Sequence, residues 1–242
     1  MKKILFSIVT TSFNSAKTIE RTLQSVLSQS YQNYEYIIID GGSSDGTLNV
    51  IDRYKEKFGD KLTIVSEKDD GIYDAMNKGI KLAKGELIGI INSDDFYELD
   101  ALENVAKEYQ NEKYAVFYGM LRVLSAEKEQ SVLFYNHEFL KQQMINHPSC
   151  FVTKAVYDDF GAYSLEYKSA ADYDFMLRMS QKSEVVFKPI YKIISNFSSG
   201  GMSSSLVGYK ETLDLWYKYG SISAKRYYLK KLYCCILFFL KR

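Results

Sequence analysis

The chain has 242 residues, with 31 Lys and Arg against 30 Asp and Glu and a formal net charge of +1. That length fits one large α/β domain or a domain with a small appendage, and an apolar share of 46% supports a sizeable core. The charge balance excludes a general nucleic-acid binder, which needs a basic excess to displace counterions.

Tyr is abundant, at 21 residues, and reads mainly as half-buried filler, with stacking on sugars or bases as its other use. The three cysteines are Cys150, Cys234 and Cys235. Adjacent cysteines rarely bridge each other and no spacing resembles a zinc site, so the chain reads as reduced and cytosolic. The basic start at Lys2 and Lys3 precedes a very short apolar run with no small-residue cleavage site. Residues 4–9 are therefore read as a first strand, not a signal peptide.

Asn14 or Ser15 can cap a helix to about residue 29, with Ile19, Leu23, Val26 and Leu27 on one stripe. Residues 36–39 make a second buried strand. Asp45 caps a second helix carrying Val50, Ile51 and Tyr54. A third strand at 62–65, a third helix at 72–82 and a fourth strand at 87–91 follow. This alternation predicts parallel strands joined by right-handed crossovers. Beyond residue 98 the pattern loosens into a helix near 101–109, strand-like runs at 114–124 and 131–135, and a polar helix near 138–143. A strand near 150–153, a helix at 172–180 and a strand at 184–187 complete it. The Ser- and Gly-rich stretch 198–205 is predicted to be a mobile loop.

Open parallel sheets bind ligands beyond the carboxyl ends of their strands. Here those ends lead into Thr10-Thr11-Ser12, Asp40-Gly41-Gly42-Ser43, Glu67-Lys68-Asp69-Asp70 and Asn92-Ser93-Asp94-Asp95. Acids crowding one edge repel each other unless a cation or a donor-rich ligand intervenes. Paired Asp on a tight turn suits Mg²⁺ or Mn²⁺ that also holds phosphate oxygens. The alternative is that Asp and Gly are simply common turn residues. Two other phosphate motifs fail. Thr47 stands where a P-loop needs lysine, and the turn after the first strand lacks the glycines of a dinucleotide fingerprint.

The segments FSIVTTSFNSAKTIERTLQSVLSQSYQNYEYIIIDGGSSDGT (6–47) and DGIYDAMNKGIKLAKGELIGIINSDD (70–95) resemble the family 2 inverting glycosyltransferases of GT-A fold. The resemblance is close over about 4–100 and looser over about 145–180. It implies an α/β, GT-A-like single domain with a Rossmann-like mixed, mostly parallel sheet over 1–205. Residues 1–98 would be the nucleotide-binding half and 99–205 the acceptor-binding half, with a helical tail over 206–242. Thr10, Thr11 and Ser12 would line the nucleotide pocket and Asp40 would help read the base. Asp70 and Lys78 join this donor-binding set. Asp95 would be the leading metal ligand, with Asp94 nearer the ribose and second in line for the metal. Asp172, in SAADYDFMLRM, would be the catalytic base, and His147, in NHPSCF, would line the acceptor and sugar pocket. Gly41 replaces the second acid that many members carry there, and Asn92 replaces the first acid of their aspartate motif. Asp69 and Asp70 could make up the lost base contact.

The residue types suit the chemistry in their own right. An inverting transfer needs one base for the acceptor proton and something to stabilise the departing diphosphate. A second, nucleophilic carboxylate is not required. Asp172 as a plain helix N-cap, Asp174 as the base on the acceptor side, and His147 as an ordinary loop residue are the competing readings.

Residues 232–240 form an uninterrupted apolar run flanked by Lys225, Arg226, Lys230, Lys231, Lys241 and Arg242. A span needs ~20 apolar residues, so the run suits an interfacial helix on anionic lipid, or a helix packed on the domain or on a second subunit of a homodimer.

The chain is thus expected to be a hexosyl- or N-acetylhexosaminyltransferase using a nucleotide diphosphate-sugar, a UDP-sugar by preference. By family analogy the acceptor is a saccharide or lipid-linked saccharide of surface-polysaccharide assembly, at the cytoplasmic face of the plasma membrane. The rivals are a catalytically inactive nucleotide-sugar-binding protein and a sugar nucleotidyltransferase. The latter would want a Gly- and Lys/Arg-rich turn after the first strand, which 10–14 is not.

Overall fold

The structure, a computed structural model, describes residues 3–198 and 206–240, with 235–240 as backbone only. The expected loop at 198–205 lies outside the described residues apart from Ser198.

The nine strands, β1 (Phe6–Ser12), β2 (Tyr34–Asp40), β3 (Leu62–Ser66), β4 (Leu87–Ile90), β5 (Phe96–Tyr97), β6 (Ala115–Ser125), β7 (Lys128–Leu133), β8 (Cys150–Thr153) and β9 (Val186–Ser198), form one sheet. Its order is β3-β2-β1-β4-β8-β6-β9-β5, with β7 paired to β6. β1 to β4 are mutually parallel, and β6 and β9 run the same way. β5, β7 and β8 run against them. The sheet is therefore mixed and mostly parallel, as expected.

Every residue of β1 and β2 is buried, which is what continuous apolar runs covered on both faces produce. Alternation along β2 sends Tyr36 and Ile38 to one face and Ile37 and Ile39 to the other. The first face is covered by α1 (Ile19–Leu27), α2 (Thr47–Asp52), α3 (Lys55–Phe58) and α5 (Ala101–Glu108). The second is covered by α4 (Ile72–Leu82), α6 (Lys154–Phe160) and α7 (Ala171–Met179). Burying a side chain such as Ile37 contributes about 1.5–3 kcal/mol. Gly79 lets α4 approach β1 closely, because a Cβ there would fall 2.3 Å from Val9 Cγ1.

Several local expectations change. Helix α1 begins at Ile19 rather than beside Ser15, because Asn14 takes a left-handed φ of 50° and the Ser15 carbonyl accepts Thr18 and Ile19 N–H. The predicted helix at 138–143 is only a 3-10 turn, His137–Phe139, opened by Asn136. The strand expected at 184–187 runs far longer, since β9 pairs with β6 on one side and β5 on the other. Helix α6 was not legible in the sequence.

The tail forms a hairpin of α8 (Leu206–Lys218) and α9 (Ala224–Leu240). Among the described residues no helix is long and apolar enough to cross a membrane. α8 is fastened to α7. Leu215 is buried in the core, and Trp216 Nε1 donates to Tyr173 Oη at 3.0 Å. Both oxygens of Asp174 are engaged, Oδ2 by Arg178 Nε at 2.9 Å and Oδ1 by Lys218 Nζ at 3.0 Å and Tyr219 Oη at 2.9 Å. Removing one member of a buried ion cluster leaves its partners uncompensated. Asp174→Asn should lower unfolding free energy by roughly 3 kcal/mol, the low end of the buried-pair range because Lys218 can turn to water. Denaturant unfolding of both proteins checks this, and an unchanged midpoint would contradict it.

Candidate active site

A cleft of about 1190 Å³ opens along the carboxyl-terminal edge of the parallel strands. Its lining includes the turns after β1 and β4 and the segment leading into α4. It also includes residues of the β6–β7 hairpin, the 144–148 loop and the entrance to α7.

At the β1 turn, Thr11 and Ser12 line the cleft and Thr10 does not. Thr10 is fully buried beneath them and accepts Tyr36 Oη at 2.9 Å. Thr11 Oγ1 donates to Asn92 Oδ1 at 3.0 Å, so the residue standing in for the family's first acid braces the neighbouring strand end.

Asp40 is fully buried, and its carboxylate is consumed within the protein. It accepts Ser12 Oγ at 3.1 Å, Ser66 Oγ at 2.8 Å, Gly42 N at 3.1 Å and Ser43 N at 2.9 Å, and a short bond from Ser43 Oγ. Burial alone would raise its pKa, but the bonds from Ser43, Ser66 and Ser12 hold it below the ordinary aspartate value. Asp40 thus shapes the 41–43 turn and lies outside the cleft wall, where direct reading of a base was expected of it.

Asp69 lines the cleft instead. A Cβ on Gly41 would lie 2.5 Å from Asp69 Oδ2, so the missing acid at 41 and the carboxylate at 69 occupy the same space. Asp69 Oδ1 accepts Gly71 N at 3.0 Å. Asp70 is exposed and outside the wall. Lys78 is also outside, because its Nζ reaches Glu67 at 2.9 Å, Asp74 at 3.1 Å and the Lys68 carbonyl at 3.2 Å. It pins the 67–71 loop to α4.

The aspartate pair after β4 divides. Asp94 lines the cleft. Asp95 turns beneath, fully buried, with Oδ1 accepting Ser198 N at 3.0 Å and Oδ2 without a hydrogen-bond partner among the described residues. Burial, then the neighbouring Asp94 charge, push its pKa up to about 7, against the opposing pull of the Ser198 N–H, His147 and Arg21. Arg21 fixes the turn from α1. Its guanidinium donates to the Asp94 carbonyl at 3.1 Å and Ser198 Oγ at 2.7 Å and lies 4.3 Å over the Phe96 ring.

Asp172 sits in the first turn of α7 and lines the same cleft. Ala170 holds the N-cap position, so Asp172 is not the cap. Its Oδ1 accepts Tyr73 Oη at 2.9 Å and Tyr173 N at 3.0 Å, and its Oδ2 lies 3.2 Å from His147 Nδ1. His147 lines the cleft, and its buried Nε2 has no hydrogen-bond partner among the described residues. Asp174 is directed away, into the ion cluster with α8, and does not line the cleft. Tyr73, Lys17 and Lys168 also line it. Tyr73 gave no signal in the sequence beyond its place at a helix start, and the two lysines are ordinary surface cations in one dimension.

Among the described residues, no three His, Cys, Asp or Glu converge as a ready-made metal site. A Mg²⁺ or Mn²⁺ that also grips substrate phosphates needs only one or two protein carboxylates. The unpartnered Asp95 Oδ2 beside Asp94 fits such an ion, since a cation would relieve both the repulsion and the orphaned oxygen.

The sequence profile described as "Glycosyl transferase family 2" matches residues 7–167. A relative named "PGL/p-HBAD biosynthesis glycosyltransferase" from Mycobacterium bovis is 30% identical over 206 residues, 84% of this chain and 80% of that protein. Chondroitin synthase of Escherichia coli is 30% identical over 210 residues, 84% of this chain and 30% of that protein. Among solved structures, S. aureus TarS 1–349 in complex with UDP-GlcNAc superposes with a TM-score of 0.72 at 20% identity, over 88% of this chain and 65% of that one. The mannosyltransferase PcManGT from Pyrobaculum calidifontis, in complex with GDP-Man and Mn²⁺, gives 0.66 at 16% identity over 86% and 61%. The chain thus spans under two thirds of either structure, and at these identities the superpositions establish the fold. Sequence match, fold and cleft agree, and the chain belongs to glycosyl transferase family 2.

Proposed function

We propose that this glycosyltransferase moves a hexosyl or N-acetylhexosaminyl group from a UDP-sugar, with inversion, to a saccharide or lipid-linked saccharide. The observation that carries this reading is that Asp172, held by Tyr73 Oη and the Tyr173 N–H, lines the same cleft as Asp94 and the Thr11-Ser12 turn. UDP as the donor's nucleotide is supported by the likeness to S. aureus TarS, solved in complex with UDP-GlcNAc and with UDP.

On the donor side, Thr11 and Ser12 flank the nucleotide and Asp69 supplies the acidic contact that Gly41 lacks. Lys17 and Lys168 line the cleft as cations available to the diphosphate. Asp94 and Asp95 would hold a divalent cation, Mn²⁺ or Mg²⁺, which when bound supplies charge neutralisation for the departing diphosphate.

On the acceptor side, Tyr73 Oη and Tyr173 N–H hold Oδ1 of Asp172 and fix the carboxylate plane. Oδ2, bordered by His147, takes the acceptor hydroxyl proton as that oxygen attacks the anomeric carbon. The new C–O bond forms on the face opposite the bond to diphosphate, which breaks and leaves with its electron pair. One displacement inverts the configuration.

Asp172→Asn should lower kcat by ~10²–10⁴-fold while donor Kd barely changes. Asp174→Asn, assayed below its melting temperature, should retain far more turnover. A kcat loss confined to Asp174→Asn, or loss of donor binding in Asp172→Asn, would overturn the assignment.

Asp95 gives a second test. Its folded pKa lies above the unfolded value of about 3.9, so its contribution to stability is fully present at low pH and is lost as pH rises through about 7. Asn imitates the protonated acid. In chelator, the melting temperature of Asp95→Asn should exceed that of wild type at about pH 8.5, and the gap should narrow toward about pH 5.5. Mn²⁺ with UDP should raise melting of the wild type much more than that of the variant. Parallel pH profiles together with equal Mn²⁺ shifts would remove Asp95 from the cation site.

A further inference from the structure

The α8–α9 hairpin carries an apolar face that the domain leaves uncovered. Tyr228, Leu229, Leu232 and Tyr233 of α9 are each 59–63% exposed, and Tyr217 of α8 adds 43% beside them. At about 100° per residue the four α9 positions fall within an arc of roughly 140°. Tyr227 and Cys234, on the opposite side, are buried against Leu213. The exposed arc is therefore not the side by which α9 packs on α8.

The charge that α9 brings to this face has one sign. Residues 224–242 contain Lys225, Arg226, Lys230, Lys231, Lys241 and Arg242 and no Asp or Glu. Lys231 is used internally, on Asp214 at 2.9 Å, and Lys230 lies over the Tyr209 and Trp216 rings. Lys225 and Arg226 are exposed, and by helical register Lys225 lies on the apolar arc one turn before Leu229. Aromatic and leucine side chains edged by cations, with no acid, complement an anionic bilayer surface. The backbone of α9 continues helically to Leu240 through the apolar stretch 235–240.

The hairpin is also tied to the acceptor side of the cleft. Glu211 of α8 accepts Lys168 N and Ser169 N, each at 2.8 Å, and both of those residues line the cleft. Lys218 and Tyr219 hold Asp174, two residues from Asp172. Whatever fixes the hairpin thereby fixes the wall where the acceptor enters.

The geometry points to the exposed face of the α8–α9 hairpin as a docking surface for an anionic lipid bilayer, holding the acceptor side of the cleft in a set orientation to the membrane. The acceptor favoured by this arrangement is anchored in the same lipid surface, an extension that rests on the transferase reading, whereas the docking does not.

The test uses the full chain with vesicles of phosphatidylcholine alone and of phosphatidylcholine with about 30% phosphatidylglycerol. Binding should require the anionic lipid and weaken as salt rises. Two variants, Leu229→Ser/Leu232→Ser/Tyr233→Ser and Lys225→Gln/Arg226→Gln, should each lose about tenfold or more in partitioning. Their binding of UDP in solution should match wild type, which shows the fold and donor site intact. Wild-type protein that ignores anionic vesicles, or variants that bind them undiminished, would overturn the proposal. So would a wild type that is dimeric without lipid and made monomeric by the triple substitution, because the face would then join two copies of this chain. Vesicle binding without any binding of UDP would leave the docking standing and count against the transferase reading.

Discussion

Two adjacent carboxylates at the end of β4 set the terms for the rest of the molecule. Asp94 faces the cleft and Asp95 is buried directly beneath, with one oxygen unpartnered. A buried carboxylate next to a second one is costly to ionise without a counter-charge. The fold tolerates the arrangement because other elements grip the turn by its backbone. Arg21 of α1 and Ser198 Oγ bond the Asp94 carbonyl, Thr22 Oγ1 bonds the Asp95 carbonyl at 2.6 Å, and the Ser198 N–H occupies one Asp95 oxygen. The turn is thus held by its backbone, while the pKa of the Asp95 carboxyl is pushed up to about 7 by burial and by Asp94, against the pull of the Ser198 N–H, His147 and Arg21.

Helix α7 applies the same logic with a different outcome. Asp172 and Asp174 lie two residues apart on α7, and both are nearly buried. Asp174 is saturated by Arg178, Lys218 and Tyr219 and holds the tail to the domain. Asp172 is bonded to Tyr73, to the Tyr173 N–H and beside His147, which orient it without a lysine or arginine to neutralise it. Of the two, only Asp172 lines the cleft. The profile of the family ends at residue 167, before this helix. The division of labour on α7 therefore rests on the looser resemblance over about 145–180 and on the contacts of the helix itself.

The parallel half of the sheet was legible because its signals are local. Residues 36–39 are an unbroken apolar run, and Ile72, Met76 and Ile80 recur at helical spacing, so β2 and α4 follow from periodicity. The edge at which ligands gather followed from the strand ends. What stayed hidden depends on contacts far apart in the chain. Neighbouring acids on a turn look alike in one dimension, so Asp69 and Asp70 could not be separated. Gly41 shows which of them matters, by the space it leaves. Lys78 was placed with the donor residues, yet Glu67 and Asp74 claim it. Thr10 follows the strand's alternation down onto Tyr36, away from the cleft. Glu211 reaches backbone N–H groups 43 and 42 residues away, a contact that no spacing announces. Strand β9 was underestimated because a Pro and polar residues interrupt its pattern, while pairing with β6 and β5 supplies the order that its own sequence does not.

One measurement bears most directly on the account of a single displacement driven by one base. The enzyme would be supplied with α-linked UDP-sugars and a saccharide acceptor, and the anomeric proton coupling of the new linkage read by NMR before any mutarotation. A product of β configuration is the expected result. An α-linked product would contradict the account, because a single displacement on the face opposite the leaving diphosphate cannot retain the configuration.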